Sequence, residues 1–143
     1  MYPFARRFPS VVVACLTALA SACSNPLTSG IPTAPSALPT TITETFSGEL
    51  TVNGAATHPF GVGQAGLASA ALTGLSPEPT VVVGVSLGTW NGTVCQIILA
   101  NDNATQGASV LGEARSAGSF CVRIYDVGKL TSPTGYQITV SHY

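Results

Sequence analysis

The chain has 143 residues, of which only 8% are charged: five Lys and Arg against six Asp and Glu, a formal net charge of −1 at pH 7. So few cations, with no basic patch, exclude a surface for phosphate backbones and with it nucleic-acid binding. Solubility has to rest on Thr, Ser, Asn and Gly, a composition that fits an exported β-protein better than a cytosolic enzyme.

The first elements are targeting signals. Arg6 and Arg7 give a positive start, Val11 to Ala20 a short apolar run, and small residues lead to Cys23. About ten apolar residues are too few to cross roughly 30 Å of hydrocarbon, so residues 1–22 read as a bacterial export signal. Leu19-Ala20-Ser21-Ala22-Cys23 resembles a lipobox, which makes Cys23 the expected lipidation site, although Ala20 stands where Leu is usual. Cys15 fits the local pattern too, but would leave an apolar run of only about four residues. The alternative is an ordinary secretory signal cut near Ala22, which would release the protein. Ser24 stands where, in some enteric bacteria, Asp retains lipoproteins in the inner membrane, so an outer-membrane anchor is favoured.

Residues 23–40 read as a tether. Pro26, Pro32, Pro35 and Pro39 lie among Ser, Thr, Ala and Gly without charge or periodicity. Such a stretch cannot bury enough apolar surface to offset its ordering entropy. Fully extended at ~3.1 Å per residue, it would reach on the order of 50 Å.

Residues 41–143 remain as one domain, enough for a single core. It holds all six acids (Glu44, Glu49, Glu78, Asp102, Glu113, Asp126) and three bases (Arg115, Arg123, Lys129), hence a net charge near −3. Its two cysteines, Cys95 and Cys121, form an even pair in a chain sent to an oxidising compartment, which predicts a disulfide. Closing that loop would contribute roughly 3 kcal/mol. Cys121 alternates away from Phe120, Val122 and Ile124, so the bridge is expected to join neighbouring strands or tie a strand to a covering loop.

The domain then runs as short strands between turns. Thr43 to Val52 alternates in part, with Phe46, Leu50 and Val52 as inward candidates, and Asn53-Gly54 signals a turn. Pro59 to Val62 and Leu67 to Leu72 follow, and Ser76-Pro77-Glu78-Pro79 breaks the chain. Thr80 to Leu87, rich in β-branched residues, predicts a central strand buried on both faces. Asn91-Gly92 turns into Val94 to Ala100, Asn101 to Gly107 reads as loop, and Val110 to Ala114 as a short strand. Phe120 to Val127 sets Phe120, Val122 and Ile124 against Cys121, Arg123 and Tyr125; Tyr136 to Ser141 closes the domain. No window has a helical period. The expectation is an all-β fold, an antiparallel β-sandwich of jelly-roll type with about eight strands.

Three stretches resemble the bacterial pre-peptidase C-terminal domain: Glu44 to Leu50 with His58 to Val62 and Ala65-Gly66, then Ala117 to Tyr125, then Gly135 to Val140. Together they cover nearly all of residues 43–141. The resemblance implies a jelly-roll-like sandwich, usually a non-catalytic appendage of secreted proteins. Two departures stand out: no protease domain is expected ahead of it, and the family's Asp-rich strand is replaced by neutral Val81-Val82-Val83-Gly84-Val85.

Few residues carry chemistry. Asn101-Asp102-Asn103, with Asp126, is a weak calcium candidate, because calcium prefers six to eight oxygens and usually several carboxylates; an Asn/Asp-stabilised turn explains the triplet as well. Trp90, beside Tyr125, Tyr136 or Tyr143, could stack on a sugar ring or cap the core. Zinc lacks ligands, since His58 and His142 have no metal-ligand spacing to a cysteine. There is no Gly-x-Ser-x-Gly elbow. His58 reads as a turn or strand start before Pro59, and His142 as solvent-exposed. No catalytic residue and no cofactor are implied. The sequence points to a lipid-anchored envelope module that binds or serves as an accessory, its partners being the membrane and an envelope protein or glycan. A carbohydrate-binding module is the alternative, and a hydrolase a distant third.

Overall fold

The computed structural model describes residues 37–143; the export signal, Cys15, Cys23 and the tether through Ser36 lie outside them. Eight strands follow one another: β1 (Ile42–Leu50), β2 (Ala55–Val62), β3 (Gly66–Ser76), β4 (Val83–Trp90), β5 (Cys95–Ala104), β6 (Ser109–Ala114), β7 (Gly118–Tyr125) and β8 (Thr134–His142). They form two four-stranded sheets, the first in the order β1-β8-β3-β6 and the second β2-β7-β4-β5. Every pairing is antiparallel. This interleaved order is that of a jelly roll, so the expected fold class holds.

The core follows from period-two alternation. β8 turns Tyr136, Ile138, Val140 and His142 inward, and β7 turns Phe120, Val122 and Ile124 inward. With Leu72 and Val85 they meet between the sheets, at roughly 1.5–3 kcal/mol for each fully buried large apolar side chain. β4 is central in its sheet and buried from Val83 to Gly88, as its β-branched run predicts.

The departures from expectation lie at strand ends and edges. Val52 is 41% exposed, because β1 stops at Leu50 and the chain turns through Asn53, which takes a φ of 57°. β2 starts at Ala55 and carries Pro59 within it, tolerated because β2 is an edge strand. The expected loop at Asn101–Gly107 is half strand: β5 runs on to Ala104, which is buried in the core. His142 is the largest correction. It is 1% exposed, because the alternation of β8 continues inward to it and Ile42 of β1 pairs with it.

Candidate functional site

The outer face of the second sheet gathers the chemistry. The alternation that buries Phe120, Val122 and Ile124 turns Cys121, Arg123 and Tyr125 outward, opposite Gly88, Ser86 and Gly84 of β4. Tyr125 lies across β4 because position 84 has no side chain; a Cβ there would sit 2.2 Å from the ring. Its hydroxyl donates to Asp102 Oδ1 on β5. The Arg123 guanidinium lies over the same ring, 5.6 Å from the centroid. Beneath this band Ser86 is fully buried and donates to the Arg123 carbonyl at 3.5 Å. Burial pushes the Tyr125 phenol up to about 12, helped by the Asp102 hydrogen bond and charge and opposed by Arg123. The phenol therefore stays a neutral donor at physiological pH.

The β4–β5 hairpin tip borders this band. Asn91 Oδ1 accepts from the backbone amides of Thr93 (2.9 Å) and Val94 (2.8 Å), which fixes the turn. The predicted disulfide joins Cys95 to Cys121 across a Cα–Cα distance of 5.8 Å. It ties β5 to β7, the two strands flanking β4, rather than ladder neighbours. Trp90, Thr93, Val94 and Cys95 at this tip line one shallow concavity with Ala55 and Thr57 of β2 and Arg123 of β7.

Trp90 and Tyr125 thus reach one face, linked by Arg123, which the sequence analysis did not single out. Its signal was present, since Arg123 shares the phase of Cys121 and Tyr125 and is one of three cations in the domain. Tyr136 and Tyr143 are elsewhere; Tyr136 is buried between the sheets and Tyr143 packs over Gly66.

The two calcium candidates, Asp102 and Asp126, have separate hydrogen-bond partners. Asp126 Oδ1 accepts from the amides of Gly128, Lys129 and Leu130, and Oδ2 from that of Asn53. These hydrogen bonds, that from Asn53 foremost, hold its carboxyl below the usual range. Asp102 serves Tyr125, and Asn101 Oδ1 accepts from the Asn103 amide at 3.0 Å. Among the described residues no group of three or more His, Cys, Asp or Glu is placed to share a metal ion.

The histidines join the two sheets instead. His58 sits within β2, not at a turn, with Nε2 2.8 Å from the Tyr136 hydroxyl and its ring stacked on Phe46 at 4.9 Å. Gly48 makes room for that hydroxyl, since a Cβ there would stand 2.7 Å from it. Burial lowers the His58 pKa and raises that of Tyr136. His142 Nε2 is 2.9 Å from Glu44 Oε1, and its ring stacks on Phe60 at 5.3 Å.

No protein-family model and no curated protein matches the sequence. Among solved structures, the chain is similar to PliG of Aeromonas hydrophila, a periplasmic lysozyme inhibitor of g-type lysozyme. The TM-score is 0.50 at 10% identity, over 69% of this chain and 84% of that one. At that identity the likeness concerns the fold.

Proposed function

We propose that this chain is a non-catalytic binding module of the bacterial envelope, held on a membrane by lipid on Cys23. In this reading the outer face of the second sheet takes a protein partner. The observation that carries it is the disulfide-pinned concavity of Trp90, Arg123 and Thr57 beside the Arg123–Tyr125–Asp102 band. Trp, Tyr and Arg are the residue types that carry most binding energy at protein interfaces. A surface held by a covalent bridge loses little conformational freedom on binding. The likeness to a periplasmic inhibitor that acts on a protein supports an extracytoplasmic setting and a protein partner. The export signal supports the same setting, and the resemblance to pre-peptidase C-terminal domains supports an accessory role.

Affinity capture from native envelope tests the reading. Wild type should retain a protein that Arg123→Ala and Trp90→Ala lose, each with ~30-fold weaker binding if the side chain is a hot spot. Capture that both variants leave intact would overturn it. Trp90 facing an open concavity favours one second reading, a glycan ligand; quenching or a blue shift of its fluorescence with soluble envelope glycan would select that instead. Cys23→Ser should move the protein to the soluble fraction, and unchanged membrane partition would refute the anchor.

A further inference from the structure

Each sheet ends in two open edges, β1 and β6 in the first and β2 and β5 in the second. An open edge is a template for another strand, and proteins blunt it with charge, proline, a bulge or shortness. Three of these edges are blunted. β1 carries Glu44 and Glu49, β2 carries Pro59, and β6 is six residues long and contains Glu113.

β5 is different. It has ten residues, and from Val94 to Asn101 the chain contains neither charge nor proline. Its register against β4 shifts twice, at Val83/Val85 between the partners Ala104 and Asn101 and at Leu87/Gly88 between Leu99 and Ile97, where Ile98 is the extra residue of a bulge; β5 therefore differs from the other edges in lacking charge and proline along this stretch, not in lacking bulges. That bulge presents an aliphatic side chain, 65% exposed, where a blunted edge would present a lysine. Val94, Ile97, Leu99 and, on neighbouring β6, Leu111 are 39–63% exposed around it. A cleft beside Ile98 and Leu99, with a cavity volume of about 40 Å³, opens between the sheets onto Leu87, Phe60 and Phe120. It has room for the tip of an aliphatic side chain, whereas small-molecule pockets run to roughly 300 Å³ and more.

We propose that β5 pairs antiparallel with β5 of a second copy, joining the two second sheets across a two-fold axis. Such a contact is isologous and closes on itself, so it yields a dimer and not a fibre. The charge pattern fits a self-pair: with the axis at Ile98, Asp102 of one copy stands opposite Val94 of the other, and no like charges meet. Complete burial of the five exposed side chains would cover at most on the order of 1,000 Å² over the pair, the low end for an interface, so the pairing is expected to be weak and concentration-dependent. Backbone hydrogen bonds along the new ladder add to this.

The test uses the full chain in bacterial cells. Two differently tagged copies are co-expressed, each with a photoreactive phenylalanine analogue in place of the exposed Gln96. Irradiation should give an adduct of twice the chain's mass that carries both tags. Without the analogue, Ile98→Lys should reduce co-purification of the two tags by about tenfold or more. Ile42→Lys, on the β1 edge, should leave it unchanged. Should Ile98→Lys fail to accumulate as folded protein, Ala100→Lys places the same charge on an exposed position of the same strand. An adduct with another protein alone, no adduct, or undiminished co-purification of the folded β5 variants would each overturn the proposal.

Discussion

The two flanks of the sandwich are closed by different means. At the β1/β2 flank, side chains from both sheets interlock: Phe46 stacks on His58, Tyr136 bonds His58, and His142 stacks on Phe60 while reaching Glu44. At the β5/β6 flank, Gln96 to Ala100 are all exposed, so β5 is held by its ladder to β4, by the Tyr125–Asp102 bond and by Cys95–Cys121. A strand that buries little apolar surface gains little from the hydrophobic effect, and a covalent link supplies part of what packing does not. The first flank is sealed. The second is fastened but left apolar and open, which is where a partner strand fits.

Opening the disulfide should have the largest effect. Cysteines 26 residues apart close a loop worth about 3 kcal/mol, a fall of roughly 10–15 °C in the thermal midpoint. Melts with and without reductant measure it, and hydrogen exchange locates it. The amides of β5 should lose protection before those of β1; equal loss on both strands would break the contrast between the flanks. His142→Ala should come next, at about 2–3 kcal/mol, because it empties a buried site and strips Phe60 of its stacking partner. By contrast, Ile98→Ala in the dilute monomer should cost less than about 0.5 kcal/mol, as exposed substitutions do. Comparable destabilisation by the two would mean that both flanks are packed alike.

The contrast was partly readable in the chain. β4 and β7 follow from β-branched content and alternation, because both pack against the core and obey its period. The edge strands β2 and β5 are less legible: Pro59 reads as the start of a strand and Asn101-Asp102-Asn103 as a loop, yet an edge strand carries both within it, since one side needs no ladder partner. The burial of His142 required only that the phase of Tyr136, Ile138 and Val140 be continued two residues further. The binding face was half visible. Cys121, Arg123 and Tyr125 share a phase in β7, and Trp90 shares one with Gly84, Ser86 and Gly88 in β4, but that β4 lies beside β7 is a matter of sheet order and has no local signature. That Asp102 serves the Tyr125 hydroxyl while Asp126 serves the amides of the loop after β7 is likewise tertiary.

A pH dependence tests the sealed flank by itself. Burial holds the His58 imidazole below its ordinary value of 6.5, so the unfolded chain takes up that proton before the folded one does. The stability associated with neutral His58 is therefore complete above about pH 6.5 and is lost as the pH falls below it. The thermal midpoint should drop between pH 7.5 and 5.5, and His58→Phe, which keeps a ring against Phe46, should flatten that drop. Asp126, whose carboxyl is also held low, acts in a separate window below about pH 4. An undiminished drop in His58→Phe would show that some other group carries the acid sensitivity and that the His58–Phe46–Tyr136 contact is not its source.

The smallest effect, and the sharpest probe of the fastened flank, is the titration of Tyr125. Its pKa of about 12 has burial as the first cause and the Asp102 hydrogen bond and charge as the next, with Arg123 pulling the other way. Asp102→Asn should bring the titration part of the way back toward 10, since burial remains, and Arg123→Ala should push it higher still. NMR of ring-labelled tyrosine resolves it from Tyr136, whose pKa burial alone raises. Because the folded pKa is raised, the linked stability is complete below about pH 10 and is lost as the pH rises from there toward 12. At pH 7 Asp102→Asn at this exposed position should change stability by less than about 0.5 kcal/mol. A Tyr125 titration indifferent to Asp102→Asn would mean that the ring does not reach across Gly84 to β5. The disulfide and the β4 ladder would then be the fastenings of that flank, and the Arg123–Tyr125 face would lose the anchor that holds it in place.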